Sequence, residues 1–157
     1  MKKITSILTT VMLFFGIAFT TTSCSENEPP AVPAAKSVAG TYTGDMTCSV
    51  MGTDQVFENL TFKVTSVDDA TVTVEIPSFG EAPMQMPAIT VAKVPVAGAD
   101  GAYTLAVTNF DGTTSTGRAY SGHLGGGFAN NTLTIQFELH YGAMPMAMIC
   151  TFVAEKK

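Results

Sequence analysis

The chain has 157 residues, 46% of them hydrophobic and none of them Trp, with eight Lys plus Arg against thirteen Asp plus Glu and a formal net charge of −5. The acid excess excludes a nucleic-acid partner, because phosphate binding needs a basic patch. The length suits one domain with a real core and is short for two.

The first element is MKKITSILTTVMLFFGIAFTTTSC, where Lys2 and Lys3 precede an apolar run from Ile4 to Phe19 and small or hydroxylated residues lead into Cys24. This is a secretory signal over residues 1–23; the run is too short for the ~20 apolar residues of a membrane span. Thr22, Ser23 and Cys24 resemble the lipobox of bacterial lipoproteins, which implies lipidation at Cys24 and a mature chain that begins there. Without Lys2 and Lys3, six basic residues face thirteen acids, a formal charge of −7. Ser25, Glu26, Asn27 and Glu28 resemble the short acidic signal that sends some lipoproteins to the outer face of the outer membrane; a solvated acidic linker is the alternative. The expected location is the outer membrane, lipid-anchored and facing outward, with the periplasmic face as the alternative.

The segment 24–37 continues as a linker in which Pro29, Pro30 and Pro33 favour an extended polyproline stalk. Fully extended at about 3.1 Å per residue, Ser25 to Ser37 would span roughly 40 Å. The domain is expected over 38–157.

Alternation with a period of two dominates that domain. Tyr42, Met46, Cys48 and Val50 share one face of the first strand, opposite Thr41, Thr43, Asp45 and Thr47. The contrast recurs at Leu60, Phe62 and Val64, at Val72, Val74 and Ile76, and most clearly at Leu133, Ile135, Phe137, Leu139 and Tyr141. Turn signals at 52–54, Asp68 and Asp69, 97–101, Asp111 and Gly112, Asn130 and Asn131, and 142–145 separate the runs. The predicted strands are 38–50, 55–66, 70–76, 87–94, 102–109, 116–125, 132–141 and 146–155. About eight such strands predict an all-β fold, an antiparallel up-and-down closed barrel, with an open two-sheet sandwich as the alternative.

Cys48 and Cys150 test closure. In a closed meander the first and last strands are neighbours, and both cysteines lie on the apolar parity. Pairing them sets Met46 opposite Phe152 and Val50 opposite Met148. Export permits a disulfide between them; two buried thiols are the alternative.

AGTYTG at the first strand places Gly40, Thr41 and Tyr42 like the Gly-x-Trp of lipocalins. With the glycine-punctuated YSGHLGGG and the closing strand, residues 38–157 resemble the calycin-like β-barrel lipoproteins of Gram-negative gut bacteria. The resemblance implies a fold and an address, and a ligand by analogy.

Catalytic chemistry is sparse. Ser121 precedes His123 on one strand face, but no acid lies nearby in sequence to orient the imidazole, so the reading is not an enzyme. Gly125, Gly126 and Gly127 lack the Lys-Ser/Thr ending of a phosphate loop and read as a bend or bulge at a barrel corner. No zinc or calcium spacing appears, and no cofactor is expected.

Methionines are the remaining signal. Connections after the first, third, fifth and seventh strands share one end of a meander, and that end receives Met51, then Phe79, Met84 and Met86, then Phe110, then Met144 and Met146. The expectation is an apolar mouth there, with Tyr42, Met46, Met148, Tyr103 and Phe137 lining the space beneath, because methionine adapts to varied apolar shapes. The expected partners are a small apolar ligand or a surface partner protein, and the membrane through the lipid, for a monomer. Loop packing over a solid core and thioether capture of Cu(I) are the alternatives.

Overall fold

The computed structural model describes residues 31–82 and 85–157. The signal, Cys24 and residues 25–30 of the stalk therefore lie outside the described residues, as does Met84. One helical turn, α1 (Ala34–Val38), precedes eight strands: β1 (Gly40–Val50), β2 (Thr53–Ser66), β3 (Thr71–Ile76), β4 (Ile89–Ala99), β5 (Ala102–Thr113), β6 (Ala119–Ala129), β7 (Thr132–Tyr141) and β8 (Met148–Glu155). They form a closed antiparallel barrel in sequence order, with β8 returning to β1.

The alternation works as expected. Leu133, Ile135, Phe137, Leu139 and Tyr141 of β7 all point inward and are buried, and β1 contributes Tyr42, Met46 and Cys48. Phe62 and Phe152 stack inside with ring centroids 3.9 Å apart. Each such buried side chain contributes about 1.5–3 kcal/mol by leaving water. Cys48 pairs with Cys150 as a disulfide, and Met46 pairs with Phe152. That ladder ends at Ser49 and Ile149, one pair short of Val50 and Met148.

Tight turns close the hairpins where the backbone can turn left-handed. Met51–Gly52, Asp100–Gly101 and Asn130–Asn131 each hold two consecutive residues at positive φ, the arrangement that matches the twist of a two-residue hairpin. Asp111 and Gly112, expected as a turn, instead lie within β5 and pair with Ser121 and Tyr120. Gly112 makes room there for the Tyr120 ring, which a Cβ would strike. The turn falls at 114–118, where the Arg118 amide donates to the Thr114 hydroxyl at 3.0 Å and the Thr114 amide donates to the Arg118 carbonyl at 2.8 Å.

The three glycines 125–127, expected at a bend or bulge, run through the middle of β6, paired without interruption with Gln136, Ile135 and Thr134 on one side and facing a bulge of β5 on the other. The irregularity lies on the facing strand, between Leu105 and Thr108 of β5. Gly126 faces inward, where a Cβ would overlap the Thr134 carbonyl.

Ala34–Ser37, expected within an extended stalk, and Val38, expected to open the first strand, form a helical turn because Ala35 and Val38, three residues apart, present one small apolar face. Both are fully buried against β2 and β4. The Tyr42 hydroxyl donates to the Val38 carbonyl, and Lys156 Nζ donates to the Ser37 carbonyl at 2.8 Å. The turn thus closes the end of the barrel where the chain enters.

Candidate functional site

The opposite end is shaped by a mismatch of strand lengths. β2 has 14 residues and β3 only 6, so β3 pairs with β2 over Lys63–Ser66 alone. Among the described residues, the edge of β2 from Thr53 to Phe62 has no strand partner on that side. Over its described residues, 77–82 and 85–88, the connection that follows β3 lies beside this edge, with Phe79 against Phe57. It is pinned by two mutual hydrogen bonds, the Met86 amide to the Phe79 carbonyl at 2.8 Å and the Phe79 amide to the Met86 carbonyl at 3.3 Å. Both side chains turn into the barrel, 5% and 2% exposed. The Phe79 ring meets Phe57 edge-on at 5.3 Å and Phe137 at 6.4 Å between centroids.

A partly enclosed groove of about 870 Å³ remains between the two walls. Val50, Phe57, Phe79, Met86, Met144, Met148 and Cys48 form its apolar lining; Thr53, Gln55, Val56, Glu58, Gly80 and Glu81 complete it. The volume falls in the range of small-molecule sites. Among the described residues, Glu58 and Glu81 are its charged residues. Arg118 lies at the same end but sits over the Tyr141 ring, 5.8 Å from its centroid.

The residues singled out from the sequence divide into groups. Phe79, Met86, Met144 and Met148 come together in the groove. Met46 and Phe137 are buried beneath it, and Phe110 is buried on β5. Met51 stands at a hairpin tip, 76% exposed, and Met146 is 45% exposed and outside the lining. Tyr42 and Tyr103 lie at the entry end, each with its ring 6.2 Å from Phe128. The mouth is thus stoppered in part by Phe79 and Met86, and the site lies to one side of them. Sequence reasoning missed Phe57, Glu58 and Glu81. The signal for the first two was the broken alternation in Gln55-Val56-Phe57-Glu58-Asn59, where a bulge sets two residues of β2 against Asp45 and Asn59 takes a φ of 57°.

Elsewhere the chemistry is limited. Burial raises the Tyr42 hydroxyl to about 12. His123 and His140 flank Glu138 on the outer wall, at 3.9 Å and 3.0 Å, while Ser121 pairs in register with His140. Among the described residues no group of three His, Cys, Asp or Glu is placed to hold a metal.

The architecture has counterparts. A family model for the calycin-like beta-barrel domain matches residues 38–155. A solved structure from Bacteroides fragilis, described as a candidate outer membrane protein, superposes with a TM-score of 0.69 at 22% identity, covering 80% of this chain and 53% of that one. This chain therefore spans about half the length of that protein, and the likeness is one of fold. No curated protein matches the chain. Eight strands in meander order, the β1–β8 closure and the family match over 38–155 lead to one conclusion: the chain belongs to the calycin-like β-barrel family.

Proposed function

We propose that the protein is a lipid-tethered barrel of the outer membrane whose far-end groove holds a small apolar molecule. The observation that carries this reading is the 870 Å³ groove lined by Phe57, Phe79, Met86, Met144 and Met148. Aromatic and thioether groups there have unused contact surface that an apolar guest would cover. The chain enters the barrel through α1, at the end opposite the groove. The lipobox resemblance at Thr22–Cys24 and the neighbour's description support the address.

Native mass spectrometry of the mature chain with medium-chain alkyl probes tests the ligand reading. Uptake should be lost in Met144→Glu and Met148→Glu and kept in Met51→Glu and Met146→Glu, whose side chains lie outside the lining. Uptake indifferent to all four substitutions would overturn it. Cu(I) uptake that depends on Met144 and Met148 would assign the thioethers to metal instead.

One feature favours a second reading, a partner protein. The edge of β2 from Thr53 to Phe62 could accept an extended segment of another chain by strand addition. Protection of the amides on that edge from hydrogen exchange by a partner, without uptake of alkyl probes, would select it.

A further inference from the structure

We propose that the groove selects amphiphiles with a cationic head, an alkyl or aryl body carrying an ammonium group. The inference rests on the apolar-ligand reading and adds the charge of the ligand. The floor offers Phe57, Phe79, Met144 and Met148 to an apolar body. Among the described residues, the charged side chains of the groove are Glu58 on β2 and Glu81 on the connection that follows β3, both exposed carboxylates. Among the described residues neither is in an ion pair. Among the described residues no Lys or Arg lines the groove, and Arg118 at the same end is held over Tyr141.

Two carboxylates beside an apolar groove favour an ammonium head near them and repel a carboxylate or sulfate head brought to the same place. The excess of acids over bases in the whole chain adds a weaker, longer-range attraction of the same sign. The apolar floor determines whether an alkyl chain binds, and the rim determines which head group it carries.

Decylamine, decanol and decanoate share one chain and differ in head charge at neutral pH, so isothermal titration of the mature chain with the three separates the terms. Decylamine should bind about tenfold more tightly than decanol, and decanoate more weakly than either, with the spread narrowing as salt is added. Glu58→Gln with Glu81→Gln should bring decylamine to within about twofold of decanol while leaving decanol unchanged. The control Asp100→Asn with Glu155→Gln removes the same charge at the entry end and should keep the full preference. Equal binding of all three probes by the unaltered chain would overturn the charge selection and leave the apolar groove standing. A preference that survives Glu58→Gln with Glu81→Gln, or that the control also removes, would likewise overturn it. Binding of none of the probes would overturn both readings.

Discussion

Cys48 of β1 lies directly opposite Cys150 of β8, with their Cα atoms 4.1 Å apart across the seam that closes the barrel. The bond spans 102 residues of sequence, so it removes much of the freedom of the unfolded chain. Replacing both cysteines with Ala should lower stability by about 3 to 5 kcal/mol in urea unfolding. The strand register should survive, because Met46 still faces Phe152 and Thr47 still faces Thr151. Loss of the β-sheet circular dichroism at low denaturant would contradict this.

Tyr42 holds α1 to the barrel through its hydroxyl. Its value of about 12, against 10.0 for a free tyrosine, means that the folded state keeps the proton longer than the unfolded chain does. The contribution is therefore complete below pH 10 and is lost as pH rises towards 12, by roughly 2 to 3 kcal/mol. Tyr42→Phe should flatten that part of the stability profile. At neutral pH it should cost about 1 to 2 kcal/mol, because the Val38 carbonyl loses its donor.

Adjacent glycines of β6 should respond differently to the same change. Gly126→Ala drives a methyl group into the Thr134 carbonyl and should cost about 2 kcal/mol or more. At Gly127 the nearest atom to a new Cβ, the Tyr103 carbonyl oxygen, is 3.4 Å away, and Gly127→Ala should stay within about 0.5 kcal/mol of the parent. Melting curves of the two variants decide the matter.

Phe79 acts as the stopper of the far end. Phe79→Ala removes its ring from Phe57 and Phe137 and should lower stability by about 3 kcal/mol. The same change joins the space of the ring to the groove, so the variant should take up bulkier apolar probes in native mass spectrometry. An unchanged size limit would place the ligand elsewhere.

The tether is tested at Cys24. Metabolic labelling with a palmitate analogue should mark the protein, and Cys24→Ser should abolish the mark and release the chain from membranes. Labelling that persists in the variant would contradict lipidation there.

Much of the barrel was legible because alternation is a local property. The β7 residues from Leu133 to Tyr141 declare their faces one by one, and the parity of Cys48 and Cys150 follows from the same reading. Strand ends were less legible, since Asp111-Gly112 carries the composition of a turn but serves as space for Tyr120. The groove was half legible. Counting hairpins sends the methionines to one end, and the same counting sends Tyr103, at the start of β5, to the other. The mutual bonding of Phe79 and Met86 leaves no periodic trace, and neither does the unequal reach of β2 and β3, which appears only when pairing is known.

That unequal reach separates the groove from the scaffold. The seams of the barrel run through paired strands, whereas one wall of the groove is a connection that, among the described residues, contributes no rung to the sheet beyond its own small bridge at Phe79 and Met86. Lengthening such a connection costs little, because closure entropy grows only logarithmically with loop length. Descendants of this chain could therefore lengthen the connection between Pro77 and Ala88 around a retained Phe79 and Met86 and reshape the groove, while the hydrogen-bonded strands beneath kept the same inheritance.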